Sequence, residues 1–124
     1  MLFLVLGKGK AGSLVAEVAR ERGHGVRALD VNENQQASAL TGPSLAGVDV
    51  VIDFSPPSAV ERHATLAAQG KTGYVVGTTG LEPAQFEALE KASHHCAVVQ
   101  SYNMRLGVNI LAGLTRQVAA SLGE

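Results

Sequence analysis

The chain has 124 residues, enough for one domain and too few for two of ordinary size. With 46% hydrophobic residues, 17% charged and a net charge of -1, it is composed like a soluble globular protein and offers no positive excess to nucleic acid or anionic lipid. The longest apolar run, Met1 to Leu6, falls far short of the roughly 20 residues that cross a bilayer.

That run also lacks the basic segment and cleavage site of a signal peptide. Cys96 is the single cysteine, so no internal disulfide can form, and a cytoplasmic location is expected. With no Trp and few aromatics, Val, Leu and Ala must build the core. Short apolar runs alternate with longer segments of helical period, the pattern of βαβ units around a parallel sheet.

The first predicted strand, Leu2 to Leu6, is apolar on both faces, as a central parallel strand should be. Gly7 ends it, and a helix is predicted from about Lys10 to Arg22, with Leu14, Val15, Val18 and Ala19 on its apolar face and Gly23 as its cap. A second strand spans Val26 to Leu29 and closes at Asp30. Residues 32 to 47 are polar and turn-rich and predict a loop with at most a short helix. The third strand covers Val48 to Ile52, closed by Asp53. Pro56 and Pro57 suit the first turn of a helix running to about Gln69. Tyr74 to Val76 is the fourth strand, Glu82 to Lys91 a helix with Pro83 in its first turn, and Cys96 to Val99 the fifth strand. A last helix is predicted from about Arg105 to Leu122, with an apolar stripe of Leu106, Ile110, Leu111, Leu114, Val118 and Leu122.

Right-handed crossovers then give the strand order 2-1-3-4-5, with a crevice at the carboxyl end of the first strand where the winding reverses. The fold class expected is α/β: a Rossmann-like three-layer domain with a parallel sheet of about five strands, filling residues 1–124.

Gly7-Lys8-Gly9-Lys10-Ala11-Gly12 is a G-x-G-x-x-G that leaves an apolar strand and opens an amphipathic helix, the context in which this pattern binds a dinucleotide. Gly7 permits the tight turn, Gly9 lets backbone approach a pyrophosphate, and Gly12 lets helix and strand pack closely. Unpaired amides at the helix N-terminus, with Lys8 and Lys10 nearby, favour phosphate. An ordinary glycine-rich turn is the structural alternative. Asp30 falls roughly 20 residues further on, where an acidic residue accepts hydrogen bonds from the adenosine ribose. Its alternative is a cap.

Three more loops leave the same sheet edge: Asp53-Phe54-Ser55-Pro56, Gly77-Thr78-Thr79-Gly80 and Ser101-Tyr102-Asn103-Met104. Gly77 and Gly80 would let backbone come close to a flat ring, and the threonine hydroxyls could bond its amide. As capping residues, Asp53, Thr78, Thr79 and Asn103 have a purely structural alternative. His24, His63, His94 and His95 have no metal-ligand spacing and are expected on the surface, away from the crevice. Cys96 is expected to serve packing. No metal site and no nucleophile–base arrangement suggests itself, and no catalytic residue is assigned.

These motifs resemble the N-terminal part of bacterial 4-hydroxy-tetrahydrodipicolinate reductase, also called dihydrodipicolinate reductase, of lysine and diaminopimelate synthesis. Val51-Ile52-Asp53-Phe54-Ser55-Pro56-Pro57 is similar to that family's third strand and D-F-[ST]-x-P loop. Val76-Gly77-Thr78-Thr79-Gly80 carries its G-T-T-G, and residues 101–109 resemble its N-F-S-x-G-V-N. The resemblance implies cofactor contacts at Gly7, Lys8, Gly9, Lys10, Ala11 and Gly12, at Asp30, at Gly77, Thr78 and Thr79, and at Ser101, Tyr102, Asn103 and Met104. It puts Gly77, Thr78 and Thr79 at the nicotinamide end, bordered by Phe54 and Ser55. Where the family usually has G-R-M-G this chain has Gly9-Lys10-Ala11-Gly12, and Met104 replaces a usual Phe. Lys10 keeps the charge of that arginine without its planar guanidinium.

The resemblance implies reduction of 4-hydroxy-tetrahydrodipicolinate by NADH or NADPH, with NADH expected because Asp30 is followed by Val31 rather than an arginine. The family's substrate domain, with its H-H-x-x-K-x-D-A-P-S-G-T-A segment, has no counterpart in the sequence. The expectation is therefore a cofactor-binding part that is inactive by itself and self-associates as a homo-oligomer through its last helix. A non-catalytic nicotinamide-nucleotide sensor is the second reading. A phospho-receiver module shares the strand order, but Gly7 and Lys8 stand where it needs an acidic pair for magnesium.

Overall fold

The computed structural model describes residues 1–7, 9–29, 45–78 and 80–100, with Lys10 described in its backbone only. Asp30, most of the predicted 32–47 loop, the Ser101–Met104 loop and the predicted last helix lie outside the described residues. Five strands and three helices alternate: β1 (Leu2–Leu6), α1 (Lys10–Glu21), β2 (Gly25–Leu29), β3 (Val50–Asp53), α2 (Pro57–Gln69), β4 (Gly73–Val76), α3 (Pro83–Ser93) and β5 (Val98–Gln100). They form one sheet in the order β2-β1-β3-β4-β5, the order that the crossover rule predicts. Every neighbouring pair is parallel.

β1 is apolar throughout because it lies inside the sheet with helices on both faces. Period-2 alternation splits its side chains. Phe3 and Val5 join Val50, Ile52 and Val75 on one face, covered by Val15, Ala16 and Ala19 of α1. Leu4 and Leu6 join Val51, Tyr74 and Val76 on the other, covered by Val60, Ala64 and Ala67 of α2 and Leu89 and Ala92 of α3. α1 is rotated from the predicted stripe. Leu14 is 52% exposed, and the buried line runs Gly12, Val15, Ala16, Ala19. Gly12 sets that rotation: helix and strand come so close that a Cβ there would overlap the Gly7 carbonyl oxygen.

The helix ends follow their local chemistry. Arg22 caps α1, and Gly23 follows at φ +84°, the left-handed turn that favours glycine. Pro57 opens α2 and Pro83 opens α3, where a missing N–H costs nothing. At α3 the Glu82 side chain and the Gln85 side chain cap each other's backbone amides, and the Gln85 amide group donates to Glu61 of α2 at 3.0 Å. The fifth strand starts later than predicted. Cys96 lies in the turn after α3, half-buried, with its N–H donating to the Ala92 carbonyl, so it extends the helix end rather than opening the strand.

Gly12→Ala is expected to push α1 off β1 at a cost of about 1–3 kcal/mol, the usual range for overpacking. Urea unfolding should show a lower midpoint at an unchanged slope. An unchanged midpoint would mean that the approach of Gly12 to Gly7 is not the contact that seats the helix.

Candidate functional site

In an open parallel sheet the crevice lies beyond the carboxyl ends of the strands, beside the point where the order reverses. Here that point is the end of β1. Three backbone bonds carry the ladder one residue past the strands: Gly7 N–H to Leu29 O at 2.6 Å, Phe54 N–H to Leu6 O at 2.8 Å, and Gly77 N–H to Asp53 O at 2.8 Å. The loops after β1, β3 and β4 therefore leave the sheet side by side.

The first loop turns at Gly7, whose φ of +103° favours glycine. A Cβ there would also come within 3.3 Å of the Phe54 Cβ. The first described bond of α1 runs from Ser13 N–H to Gly9 O at 2.9 Å, so the Ala11 and Gly12 amides precede the helical ladder. The N-cap residue, Gly9, has no side chain to cap them. Gly9 differs from its two neighbours, since a Cβ there would meet nothing within 4 Å. Packing explains Gly7 and Gly12 but not Gly9. A cavity of about 240 Å³ beside the turn is lined by Gly7, Gly12, Ser13, Ala16, Arg20 and Ala28. A larger hollow of about 690 Å³ lies between α2 and α3, and none of its lining residues belongs to the loops at the carboxyl edge. The smaller one touches the glycine turn through Gly7 and Gly12 and runs from there between α1 and β2.

The second and third loops are locked together. The Thr78 hydroxyl donates to the Ser55 carbonyl at 2.6 Å, and both residues are buried. The Phe54 ring lies against Gly77, where a Cβ would be 2.7 Å from its Cδ1 and closer still to Cε1. The flat ring for which Gly77 makes room is thus Phe54's. Thr78 has used its hydroxyl proton inside the protein and keeps only acceptor capacity.

Beneath these loops lies a cluster that the sequence reading missed. Asp53 is fully buried. Its Oδ1 accepts the Ser55 N–H at 2.8 Å, and its Oδ2 accepts from His63 Nδ1 at 2.7 Å and from the Tyr74 hydroxyl. Burial works against the charged carboxylate. The hydrogen bond and electrostatic pull of His63, with the donors from Tyr74 and Ser55, outweigh it and hold Asp53 below the usual carboxylate range. An ionised carboxylate only accepts, so the Nδ1 of His63 carries a proton. Burial and the Asp53 charge push the Tyr74 hydroxyl far above its ordinary range, so it stays a donor. No buried side-chain N or O atom among the described residues lacks a partner.

His63 therefore corrects the expectation of a surface residue: it is fully buried on α2. The signal was present in the sequence. With Ala59, Val60, Ala64 and Ala67 it falls on the buried stripe of that helix. His94 and His95 are exposed as expected, and His24 is half-buried, facing the N-terminal amine with its Nδ1 at 3.3 Å.

The structure brings Gly7, Gly9, Ala11, Gly12, Phe54, Ser55, Gly77 and Thr78 to one edge of the sheet. Lys8, Asp30, Thr79, Ser101, Tyr102, Asn103 and Met104 lie outside the described residues, as does the side chain of Lys10. Among the described residues no group of three His, Cys, Asp or Glu could hold a metal ion.

A five-stranded parallel sheet with a glycine turn at its reversal point defines a Rossmann-like α/β domain. The chain belongs to the dihydrodipicolinate reductase family, whose N-terminal profile, "Dihydrodipicolinate reductase, N-terminus", matches residues 1–104. It is 41% identical over 133 aligned positions to the 4-hydroxy-tetrahydrodipicolinate reductase of Cereibacter sphaeroides, covering 97% of this chain and 46% of that protein. It is 35% identical to the protein of the same name from Pseudoalteromonas atlantica, covering 94% of this chain and 41% of that one. The chain thus spans less than half the length of these relatives. A solved structure titled "The structure of cell-free ID.343 from Thermus thermophilus" shares the fold, with a TM-score of 0.50 and 24% identity over 80% of this chain and 81% of that one.

Because the folded-state Asp53 is depressed, its contribution to stability is complete above the ordinary carboxylate range and is lost as pH falls through the depressed value. Acid unfolding followed by circular dichroism should show this loss, and Asp53→Asn should flatten it. At neutral pH that substitution sets an amide among three donors and is expected to cost about 1–3 kcal/mol for each donor left unpaired. Parallel acid profiles for the two proteins would refute the assignment.

Proposed function

We propose that this chain binds a nicotinamide dinucleotide across the carboxyl edge of the sheet, as the cofactor-binding part of a 4-hydroxy-tetrahydrodipicolinate reductase. The observation that carries the reading is Gly9. It lies between two glycines that the protein's own packing demands, yet beyond its chain neighbours a Cβ at Gly9 would meet no described atom within 4 Å. Open backbone beside the amides that precede the helical ladder is what close approach of a pyrophosphate requires. Family membership and the names of the relatives support the reductase reading.

In this reading the adenosine half lies over the end of β2, where Asp30 would accept from the ribose hydroxyls. The pyrophosphate meets the amides of Ala11 and Gly12, with Lys8 and Lys10 beside it. The nicotinamide half extends over the ends of β3 and β4, toward Phe54, Ser55, Gly77, Thr78 and Thr79, and Ser101, Tyr102, Asn103 and Met104 complete that side. The bound nucleotide supplies hydride to a cyclic imine, and the residues of this chain bind it, orient it and shield one face.

None of the four histidines is placed to deliver the proton. His63 is buried with its Nδ1 bonded to Asp53. His24 precedes β2, and His94 and His95 precede β5, all at the amino edge of the sheet. Hydride transfer without a positioned proton donor and a held substrate is slow. The chain by itself is therefore expected to bind NADH without oxidising it in the presence of the cyclic substrate. Measurable turnover would overturn that part.

Gly9→Val should abolish NADH binding in calorimetry while leaving the unfolding free energy within about 1 kcal/mol of the parent, since a Cβ there meets no described atom within 4 Å. Unchanged affinity would place the pyrophosphate elsewhere. NADH should bind more tightly than NADPH, because a 2′-phosphate would sit against the charge of Asp30, and Asp30→Ala should narrow the ratio. An NADPH preference in the parent would sink this assignment.

A further inference from the structure

Two side chains outside the crevice hold the loops that line it. His63, on the buried face of α2, and Tyr74, in the middle of β4, both donate to Oδ2 of Asp53. They leave Oδ1 to accept the Ser55 amide at 2.8 Å. The carbonyl of Ser55 then accepts the Thr78 hydroxyl at 2.6 Å. On the other side of the same turn the Phe54 ring fills the space that a side chain at Gly77 would need, and the Phe54 Cβ backs onto Gly7. One carboxylate thus ties the loops after β3 and β4 to each other by hydrogen bonds, and its rotation is stopped by donors arriving from α2 and β4.

We propose that His63 and Tyr74 are positioning residues for the nicotinamide end of the cofactor. By clamping Asp53 they set the Phe54–Ser55 turn against Gly77 and Thr78, so the surface meeting the ring is formed before the nucleotide arrives. The inference rests on the cofactor reading given above. Its physical content is preorganisation. With either donor removed the Asp53 carboxylate is less tightly held about its terminal torsion, its oxygen is no longer fixed toward the Ser55 amide, and binding must then order the turn. The adenosine and pyrophosphate half contacts the β1–α1 turn and the end of β2, which the clamp does not hold. The penalty therefore falls on one half of the ligand.

The test compares NADH with ADP-ribose, which keeps the adenosine and pyrophosphate and lacks the nicotinamide. Calorimetry is run on the 124-residue chain and on Tyr74→Phe, His63→Leu and His63→Asn, each checked for native circular dichroism. Tyr74→Phe keeps the ring and removes only the hydroxyl. In His63→Asn the side-chain amide nitrogen takes the place of Nδ1 and can still donate to Asp53. Tyr74→Phe and His63→Leu should weaken NADH by about three- to tenfold while ADP-ribose stays within about twofold, and His63→Asn should retain most of the parent NADH affinity. The His63→Leu and His63→Asn pair reads the same contrast without Tyr74→Phe. Equal losses for both ligands would mean a general role in folding and would overturn the proposal, as would no loss for either. A parent that binds NADH no more tightly than ADP-ribose would overturn it too, leaving the cofactor reading intact. A parent that binds neither removes the cofactor reading itself.

Discussion

Asp53 is a fully buried carboxylate at the end of a central strand, and its ionised state depends on three donors meeting it there. Left alone, a charge in that position would be untenable. His63, Tyr74 and the Ser55 amide make it a fixed point instead. Much of the carboxyl edge is referred to it. α2 is tied through His63, β4 through Tyr74, and the turn after β3 through Ser55. The turn in turn holds Thr78 through the Ser55 carbonyl.

This arrangement suits a domain whose ligand lies across loops rather than inside a core. Loops at a sheet edge are the mobile part of an α/β fold, and a ligand that must order them binds more weakly. The glycines answer a second demand on the same edge, that backbones pass very close. Gly12 lets α1 touch the first turn, and Gly77 lets β4 end against the Phe54 ring. Gly9 has an ordinary negative φ and a Cβ there would meet no described atom within 4 Å, so neither backbone strain nor packing among the described residues accounts for it.

Two hollows on the surface separate size from meaning. The one between α2 and α3 is the larger, yet it lies on the outer faces of helices and receives no strand-end loop. The one at the glycine turn is small, but the start of α1 and the reversal of strand order converge beside it. Site chemistry follows the strand ends because every parallel strand delivers its following loop to the same edge.

The sequence by itself determined the element order, the parallel sheet and its strand order, because apolar runs and glycine or proline punctuation are local and crossover handedness leaves few topologies. The motif Gly7 to Gly12 and the loops at Asp53 and Gly77 were legible for the same reason: their residue types are tied to backbone geometry within a few positions. Only the tertiary structure decided which face of α1 is buried, since Leu14 lost to the small residues that the Gly12 contact requires. Only it showed that His63 is an interior donor. Asp53, His63 and Tyr74 sit on three different elements, and their partnership is a matter of distances across the fold, which periodicity along one helix or strand does not encode.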